Sequence, residues 1–254
     1  MSRPRKLRIV PIKSAADLER EWDEIAEIRH SQITSRSDVS LTEILFPYVL
    51  RAIKVISAKD VLDVGCGTGE LTALIAQDAL RVVGVDQSGR SVDIARASFA
   101  RFGLEFVHAS FEQMAPLTPR VEAVTMNMVL MDSPSIGPLL DAARKSLSAR
   151  GYLVATITHP AFWPRYWGYQ NEPGFSYMVE AAIEAEFTTS LHSTGHITTH
   201  FHRPLEAYFE EIVARGFSVV DFSELWPSPE VLSRYPTPWE FPRFIGLVAR
   251  LDVE

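Results

Sequence analysis

Three glycines at alternate positions, directly after a short apolar run, are the clearest sign of chemistry in this sequence. The stretch reads Val61-Leu62-Asp63-Val64-Gly65-Cys66-Gly67-Thr68-Gly69 and leads into a helical pattern that begins at Glu70. Glycine allows a turn with positive φ and a close approach of the backbone to a ligand, because no side chain intervenes. The stretch therefore predicts a strand, a ligand-binding turn and a helix.

A carboxylate, Asp86, ends the next apolar run, Val82-Val83-Gly84-Val85. It lies roughly twenty residues beyond the glycine turn, where Rossmann-type proteins bind ribose hydroxyls. An ionised oxygen accepts a stronger hydrogen bond than a neutral one does. On its own Asp86 could equally be a surface carboxylate in a turn. Together with the glycines it predicts a nucleoside-containing cofactor.

The spacing of the glycines distinguishes between cofactors. A dinucleotide fingerprint, G-x-G-x-x-G, requires its third glycine at Glu70, and a nucleoside-triphosphate loop ends in Gly-Lys-Ser/Thr, which is absent. The pattern D-x-G-x-G-x-G resembles the first motif of class I S-adenosylmethionine-dependent methyltransferases, and the resemblance extends from about Asp60 to the C-terminus. It implies S-adenosylmethionine as cofactor, with its amino-acid part beside the glycines and both ribose hydroxyls on Asp86. An NAD(P)-dependent oxidoreductase and a cofactor-binding regulatory protein without catalysis are the alternatives.

Two later positions match that family less completely. Ser110 stands where the family usually has an aspartate on the adenine amine, and Phe111 would present its backbone amide to the ring. A motif of the form Asn/Asp-Pro-Pro-aromatic, found in members that methylate base amines or protein amides, is absent after Met126. Its absence favours a small-molecule acceptor, methylated on oxygen, nitrogen or carbon. The resemblance implies as cofactor-binding residues Asp63, Gly65, Cys66, Gly67, Gly69, Asp86, Gln87, Ser110, Phe111, Asn127 and Met128.

Histidines near the end of the fifth predicted strand are the candidates for proton transfer. Methyl transfer mainly requires alignment of the acceptor with the methyl group, and a hydroxyl acceptor also benefits from a nearby base. His159, which directly follows the strand, is the first candidate and His202 the second, although a structural role is the alternative for each. His200 and His202 do not predict a metal site, because no further paired ligand motif would complete a zinc shell.

An aromatic segment, Phe162–Glu172, follows the same strand and has two interpretations. It is either a cap packed on the sheet or a lid over the acceptor. Aromatic faces also attract a sulfonium through cation–π interaction. As acceptor-binding residues we select Tyr166, Trp167 and Tyr169.

The elements that would position these residues alternate from Asp60 onward, which predicts βαβ units and a parallel sheet. The predicted strands are Val61–Val64, Arg81–Val85, Glu105–Val107, Ala123–Met126, Tyr152–Ile157, Ser218–Phe222 and Phe244–Leu251. The predicted helices are Ser14–Arg29, Leu41–Ile56, Glu70–Gln77, Ser91–Arg101, Pro138–Ser148 and Pro204–Arg215. We expect an α/β, Rossmann-like fold with a seven-stranded, mostly parallel sheet and helices on both faces. Its last strand is antiparallel, as the resemblance implies.

We expect one methyltransferase domain with four segments. These are an N-terminal helical cover (1–57), a cofactor-binding core (58–157), an inserted lid or acceptor segment (158–202) and a final helix with strands (203–254).

Composition argues against several classes of function. The 254 residues carry a formal net charge of −7, which disfavours extended binding to phosphate backbones. The single cysteine, Cys66, cannot form an intrachain disulfide. No signal peptide or membrane-spanning run is apparent, so we expect a cytoplasmic protein with no nucleic-acid or membrane partner. The oligomeric state is not indicated by the sequence.

Overall fold

The computed structural model describes residues 7–99, 104–114, 119–189 and 193–252. Its strands are β1 (Arg8–Val10), β2 (Asp60–Val64), β3 (Arg81–Asp86), β4 (Leu104–His108), β5 (Val121–Asn127), β6 (Leu147–Thr158), β7 (Ala181–Thr188), β8 (Ser193–His202), β9 (Phe217–Leu225) and β10 (Phe244–Leu251). Its α-helices are α1 (Ala15–Thr34), α2 (Phe46–Ile56), α3 (Glu70–Ile75), α4 (Gly89–Phe99), α5 (Phe111–Met114), α6 (Ile136–Ser146), α7 (Trp163–Trp167), α8 (Leu205–Ala214) and α9 (Pro229–Leu232). Arg101 and the outermost residues of the predicted segments 1–57 and 203–254 lie outside the described residues.

Seven strands form the central sheet in the order β4-β3-β2-β5-β6-β10-β9. Strands β4, β3, β2, β5 and β6 pair in parallel, and β10 runs antiparallel between β6 and β9. The strand order reverses between β2 and β5, and in open α/β sheets ligands bind beyond the carboxyl ends of the strands at such a point. The prediction of an α/β, Rossmann-like, mostly parallel sheet of seven strands is confirmed.

Helices cover both faces of this sheet. Because successive side chains of a strand point to opposite faces, neighbours such as Val61 and Leu62 in β2 belong to different apolar clusters. Leu62 packs in the cluster that includes α6 and α8, and Val61 in the cluster of α2, α3 and α4. The described helices include none that is long and apolar enough to cross a membrane.

The N-terminal cover differs in detail from the prediction. Helix α1 begins at the side chain of Ser14, which accepts a hydrogen bond from the backbone N–H of Asp17. The predicted helix Leu41–Ile56 is in fact a π-helical turn, Leu41–Leu45, followed by α2. Pro47 lies in the first turn of α2, directly after the π-helical turn, and Leu45 and Phe46 at the junction have helical backbone angles. The helical stretch therefore continues through Pro47, with a change from π to α geometry just before it.

A second, antiparallel sheet of order β1-β7-β8 was not predicted. Within the segment 158–202 the aromatic residues form α7 and a 3-10 turn, Tyr169–Asn171, and the chain then enters β7 and β8. Ile183 of β7 lies opposite both Ile9 of β1 and His200 of β8. The signal for β8 was present in its β-branched run Ile197-Thr198-Thr199, which favours a strand. The later part of the segment thus forms, with β1, a small sheet that lies against α1.

Candidate functional site

A cavity of about 550 Å³ lies beyond the carboxyl ends of the parallel strands, next to the reversal in strand order. This volume is in the range of small-molecule sites. The predicted cofactor residues in its wall are Asp63, Gly65, Cys66, Gly67, Asp86, Gln87, Ser110, Phe111, Asn127 and Met128. The structure therefore brings these residues to one cavity. Gly69 is not part of the wall.

Asp86 ends β3 and holds the glycine turn in place. Its Oδ2 accepts a hydrogen bond from the backbone N–H of Gly67, and its Oδ1 accepts one from that of Ser88, each at 2.8 Å. Burial raises the pKa of Asp86, and the two backbone donors oppose the shift. Because each carboxylate oxygen can accept a second hydrogen bond, Asp86 can hold the turn and still bind hydroxyls in the cavity.

Asp63 is buried beneath the same turn, with 1% of its surface exposed. Its Oδ1 accepts a hydrogen bond from the hydroxyl of Thr125 and its Oδ2 one from that of Thr72, each at 2.6 Å. Burial raises the pKa of Asp63 to about 6, against the effect of these two hydroxyls. Asp63 thus connects β2 with β5 and α3, and it also reaches the cavity wall.

Two of the glycines have different roles. Gly67 has φ +54°, and a Cβ added there would meet no protein atom within 4 Å, so the backbone of the turn is open to a ligand. Gly69 has φ +92°, and an added Cβ would lie 2.9 Å from Ala95 and from Phe106. Gly69 is therefore required for packing of the turn, although the sequence had suggested contact with the cofactor.

The end of β5 has a constrained backbone at the cavity wall. Met128 has φ +60°, a conformation that costs a residue with a side chain roughly 1–2 kcal/mol. Thr156 holds this geometry: its carbonyl oxygen and its hydroxyl both accept from the backbone N–H of Met128, at 3.0 and 3.1 Å. The same hydroxyl donates to Oδ1 of Asn127 at 2.7 Å. Strain retained at a cavity wall is typical of ligand sites.

Ser110 follows β4 and lines the cavity. Its hydroxyl donates to Oε2 of Glu112 at 2.7 Å, so the hydroxyl oxygen can still accept from a ligand. Glu112 also lines the cavity. It supplies a carboxylate two residues after the position where the related family has its aspartate, and the sequence analysis did not select it.

Aromatic side chains from α1, α7 and β7 form the wall opposite the strand ends. Trp22 of α1 and Phe187 of β7 contact each other edge to face with ring centroids 5.9 Å apart. Arg29 lies 4.9 Å above the Phe187 ring, and its Nη1 is 2.8 Å from Oδ2 of Asp38. Of the predicted acceptor residues, Tyr166 and Trp167 join this wall. Trp22 and Phe187 were not predicted as site residues, because their contact depends on the unpredicted second sheet.

Helix α1 forms hydrogen bonds both to the chain that follows β3 and to the second sheet. On the cofactor side, Oδ1 of Asp23 accepts from the hydroxyl of Ser88 at 2.6 Å. On the side of the second sheet, Oε2 of Glu21 accepts from the backbone N–H of Thr199 at 2.9 Å. Helix α1 therefore forms a roof that joins the second sheet to Ser88, two residues after Asp86.

The predicted histidines lie outside the cavity wall. His159 is 4% exposed, its Nε2 is 3.0 Å from Oε1 of Glu224, and its backbone N–H donates to the carbonyl of Arg243. His202 is buried, and its Nε2 donates to the carbonyl of Tyr177 at 3.0 Å. Tyr169, selected for acceptor binding, has no exposed surface and also lies outside the wall. This geometry favours a structural role for His159, and its role as a base remains a prediction.

Residues 61–151 match a family model described as a methyltransferase domain. This match and the fold support the resemblance to class I S-adenosylmethionine-dependent methyltransferases. The cofactor that the resemblance implies is S-adenosylmethionine. The cavity fits this molecule. The backbone at Gly67 is open to a ligand, and the Asp86 carboxylate offers oxygens that can accept hydrogen bonds from it.

Individual members of the methyltransferase family resemble the chain over different lengths. It is 30% identical over 119 residues to malonyl-[acyl-carrier protein] O-methyltransferase of Acetivibrio thermocellus, covering 45% of this chain and 41% of the relative. It is 28% identical over 151 residues to the 23S rRNA (uracil(1939)-C(5))-methyltransferase of Stenotrophomonas maltophilia, covering 58% and 34%. The chain thus spans less than half the length of these two curated relatives.

A solved structure shares the fold over the full length of the chain. The Burkholderia thailandensis 1,6-didemethyltoxoflavin-N1-methyltransferase, with bound 1,6-didemethyltoxoflavin and S-adenosylhomocysteine, superimposes with a TM-score of 0.61. Sequence identity is 16%, and the match covers 100% of this chain and 98% of the other. At this identity the likeness concerns the fold.

Replacing Asp86 by alanine should weaken binding of S-adenosylhomocysteine by about 1.5–3 kcal/mol, the range for hydrogen bonds to a charged group. Isothermal calorimetry measures this, with Asp93→Ala as control, because Asp93 is an exposed aspartate on α4 outside the cavity wall. NAD should not bind to the wild type. Unchanged affinity in a folded Asp86→Ala protein would show that Asp86 does not bind the ribose.

Proposed function

We propose that this protein transfers the methyl group of S-adenosylmethionine to oxygen, nitrogen or carbon of a small molecule. The observation that carries the proposal is that one cavity contains both the predicted cofactor residues and an aromatic wall formed by α1, α7 and β7. A regulatory protein without catalysis would need only the first of these. In this proposal the acceptor and the cofactor share the cavity.

Bound S-adenosylmethionine supplies an electrophilic methyl group on a sulfonium. The protein has to align the acceptor with that group and exclude water, and both are effects of proximity and enclosure. Trp163, Tyr166 and Trp167 offer flat apolar faces for alignment, and Trp22 on the roof limits access of water. In this proposal α1 and the segment 158–202 act together as the cover of the acceptor.

The charge of the wall supports a small acceptor that is not anionic. Among the described residues, Arg29 is the only cationic side chain in the wall, and Asp38 pairs with it. The carboxylates of the wall are Asp38, Asp63, Glu70, Asp86, Glu112 and Asp132. Such a surface attracts a sulfonium and repels a phosphate backbone.

Incubation with methyl-labelled S-adenosylmethionine should label a product in the small-molecule fraction of a cell extract. Total cellular nucleic acid should stay at background, because both the net charge and the cavity wall are negative. Protein heated until unfolded is the control for chemical methylation. Efficient labelling of RNA or DNA would contradict the choice of acceptor, and tight NAD binding without transfer would favour the oxidoreductase alternative.

A further inference from the structure

Asp132 is the carboxylate that follows β5 in the cavity wall. It ends the 3-10 helix Leu130–Asp132, and its backbone N–H donates to the carbonyl of Val129 at 2.9 Å. Its side chain is 20% exposed and faces the cavity. It lies four residues beyond Met128, which is also in the wall.

A buried arginine fixes the turn that presents Asp132. Arg203 is 2% exposed, its Nη1 donates to the carbonyl of Leu130 at 3.1 Å, and its Nη2 donates to that of Ser133 at 2.6 Å. Its Nε donates to Glu180 at 3.1 Å. Because the two carbonyls belong to residues on either side of Asp132, the planar guanidinium holds the whole turn. Arg203 is therefore a positioning residue.

A series of hydrogen bonds between buried polar groups leads from Tyr177 to His200, beside Asp132. The group at the Tyr177 end determines which atom donates in each of these bonds. The carbonyl of Tyr177 can only accept, so Nε2 of His202 carries a proton and Nδ1 accepts from the hydroxyl of Tyr169 at 3.3 Å. That hydroxyl then accepts from Nε2 of His200 at 3.5 Å. Nδ1 of His200 is left unprotonated, 4.0 Å from Oδ1 of Asp132.

Burial lowers the pKa of His200 to about 3, so this imidazole is neutral at physiological pH. A neutral imidazole does not compensate the charge of the Asp132 carboxylate. Two charged groups on α1, Glu21 and Arg29, also act on Asp132, together with Arg203. Burial is the largest influence and raises the pKa of Asp132 well above its ordinary range. A raised pKa makes the ionised carboxylate a stronger base, and its population increases with pH.

We infer that Asp132 accepts the proton of the methyl acceptor, and that the acceptor is a neutral, flat, apolar molecule with an O–H or N–H group. This rests on the proposed function. In the transfer the acceptor atom forms a bond to the methyl carbon and the carbon–sulfur bond breaks, with its electron pair passing to sulfur. The O–H or N–H bond breaks, and its proton passes to the Asp132 carboxylate. The aromatic wall recognises the flat face, and the surrounding carboxylates repel an anionic acceptor.

The test compares Asp132→Asn with Asp141→Asn. Asp141 is an aspartate on α6 that pairs with Arg215 at the surface, so it is a matched control. The acceptor pools are the small molecules of a cell extract, separated beforehand on an anion exchanger into unretained and retained fractions. The wild type and Asp141→Asn should label the unretained, neutral pool. Asp132→Asn should lower the single-turnover rate by roughly 10²–10⁴-fold, with unchanged affinity for S-adenosylhomocysteine by calorimetry.

The pH profile distinguishes a base from a structural carboxylate. The wild-type rate should fall as pH decreases through the pKa of Asp132, because the protonated carboxyl cannot accept a further proton. Asp132→Glu should retain this dependence, and Asp132→Asn should lose it. A wild-type rate in Asp132→Asn, or labelling confined to the retained pool, would overturn the inference while leaving the proposed function intact. A wild type that binds S-adenosylhomocysteine but labels neither pool would overturn the proposed function itself.

Discussion

Replacing Asp63 by asparagine should stabilise the cofactor-free protein at pH 8 by up to about 3 kcal/mol. The pKa of Asp63 is about 6 in the folded protein and 3.8 without burial, and each unit corresponds to roughly 1.36 kcal/mol. A raised carboxyl pKa means that ionisation opposes folding above pH 6. This penalty decreases as pH falls from 6 towards 3.8, so the advantage of the variant should disappear by pH 4. Urea unfolding at pH 8, 6 and 4 measures the difference.

Asp60→Asn is the matched control, because Asp60 starts the same strand, is half-exposed and pairs with Arg81. It should show no comparable gain at pH 8. The Asp63→Asn protein should also bind S-adenosylhomocysteine more weakly, since the buried negative charge at the cavity wall is lost. Equal unfolding free energies of wild type and Asp63→Asn across this pH range would contradict the ionised, buried state of Asp63.

Replacing Gly65 by alanine should destabilise the protein by about 2–5 kcal/mol. Gly65 has φ +66°, which costs an alanine about 1–2 kcal/mol, and its Cβ would lie 2.4 Å from Cγ2 of Val129. Overpacking of this kind costs a further 1–3 kcal/mol or so. Unfolding in urea, followed by circular dichroism, measures the loss.

A double-mutant cycle separates the two causes. Val129→Ala removes the Cγ2 atom, so in the pair Gly65→Ala/Val129→Ala only the backbone cost should remain. The double variant should therefore recover most of the packing loss. If the two substitutions were simply additive, the turn after β2 would not pack against Val129 as the structure shows.

The central sheet was predictable because its signals are local. The strand that ends at Val64 and the helix that starts at Glu70 flank glycines whose positive φ few other residues adopt. Asp86 was identifiable from its spacing to those glycines. The structure places Gly65, Gly67 and Asp86 in the cavity wall, where the backbone N–H of Gly67 donates to the Asp86 carboxylate.

The roof and Asp132 were not predictable in this way. Trp22 and Phe187 are distant in sequence, and they meet only because β1, β7 and β8 form a second sheet against α1. Asp132 has no motif around it, and its orientation depends on Arg203, which is contributed by a different part of the chain. His159 directly follows a strand end, yet its side chain pairs with Glu224 of β9 and lies outside the cavity wall. Strand position alone did not determine side-chain direction.

Ser88 connects the proposed ribose carboxylate with the roof. Its backbone N–H binds Asp86 and its hydroxyl binds Asp23 of α1, so displacement of the roof disturbs the residue that helps to hold Asp86. By reciprocity, a ligand that fixes Asp86 also fixes the roof. Amide hydrogen exchange in α1 should then slow when S-adenosylhomocysteine binds. By the same linkage, release of the spent cofactor would loosen this helix, so that product release and access for the next acceptor would be coupled in the catalytic cycle.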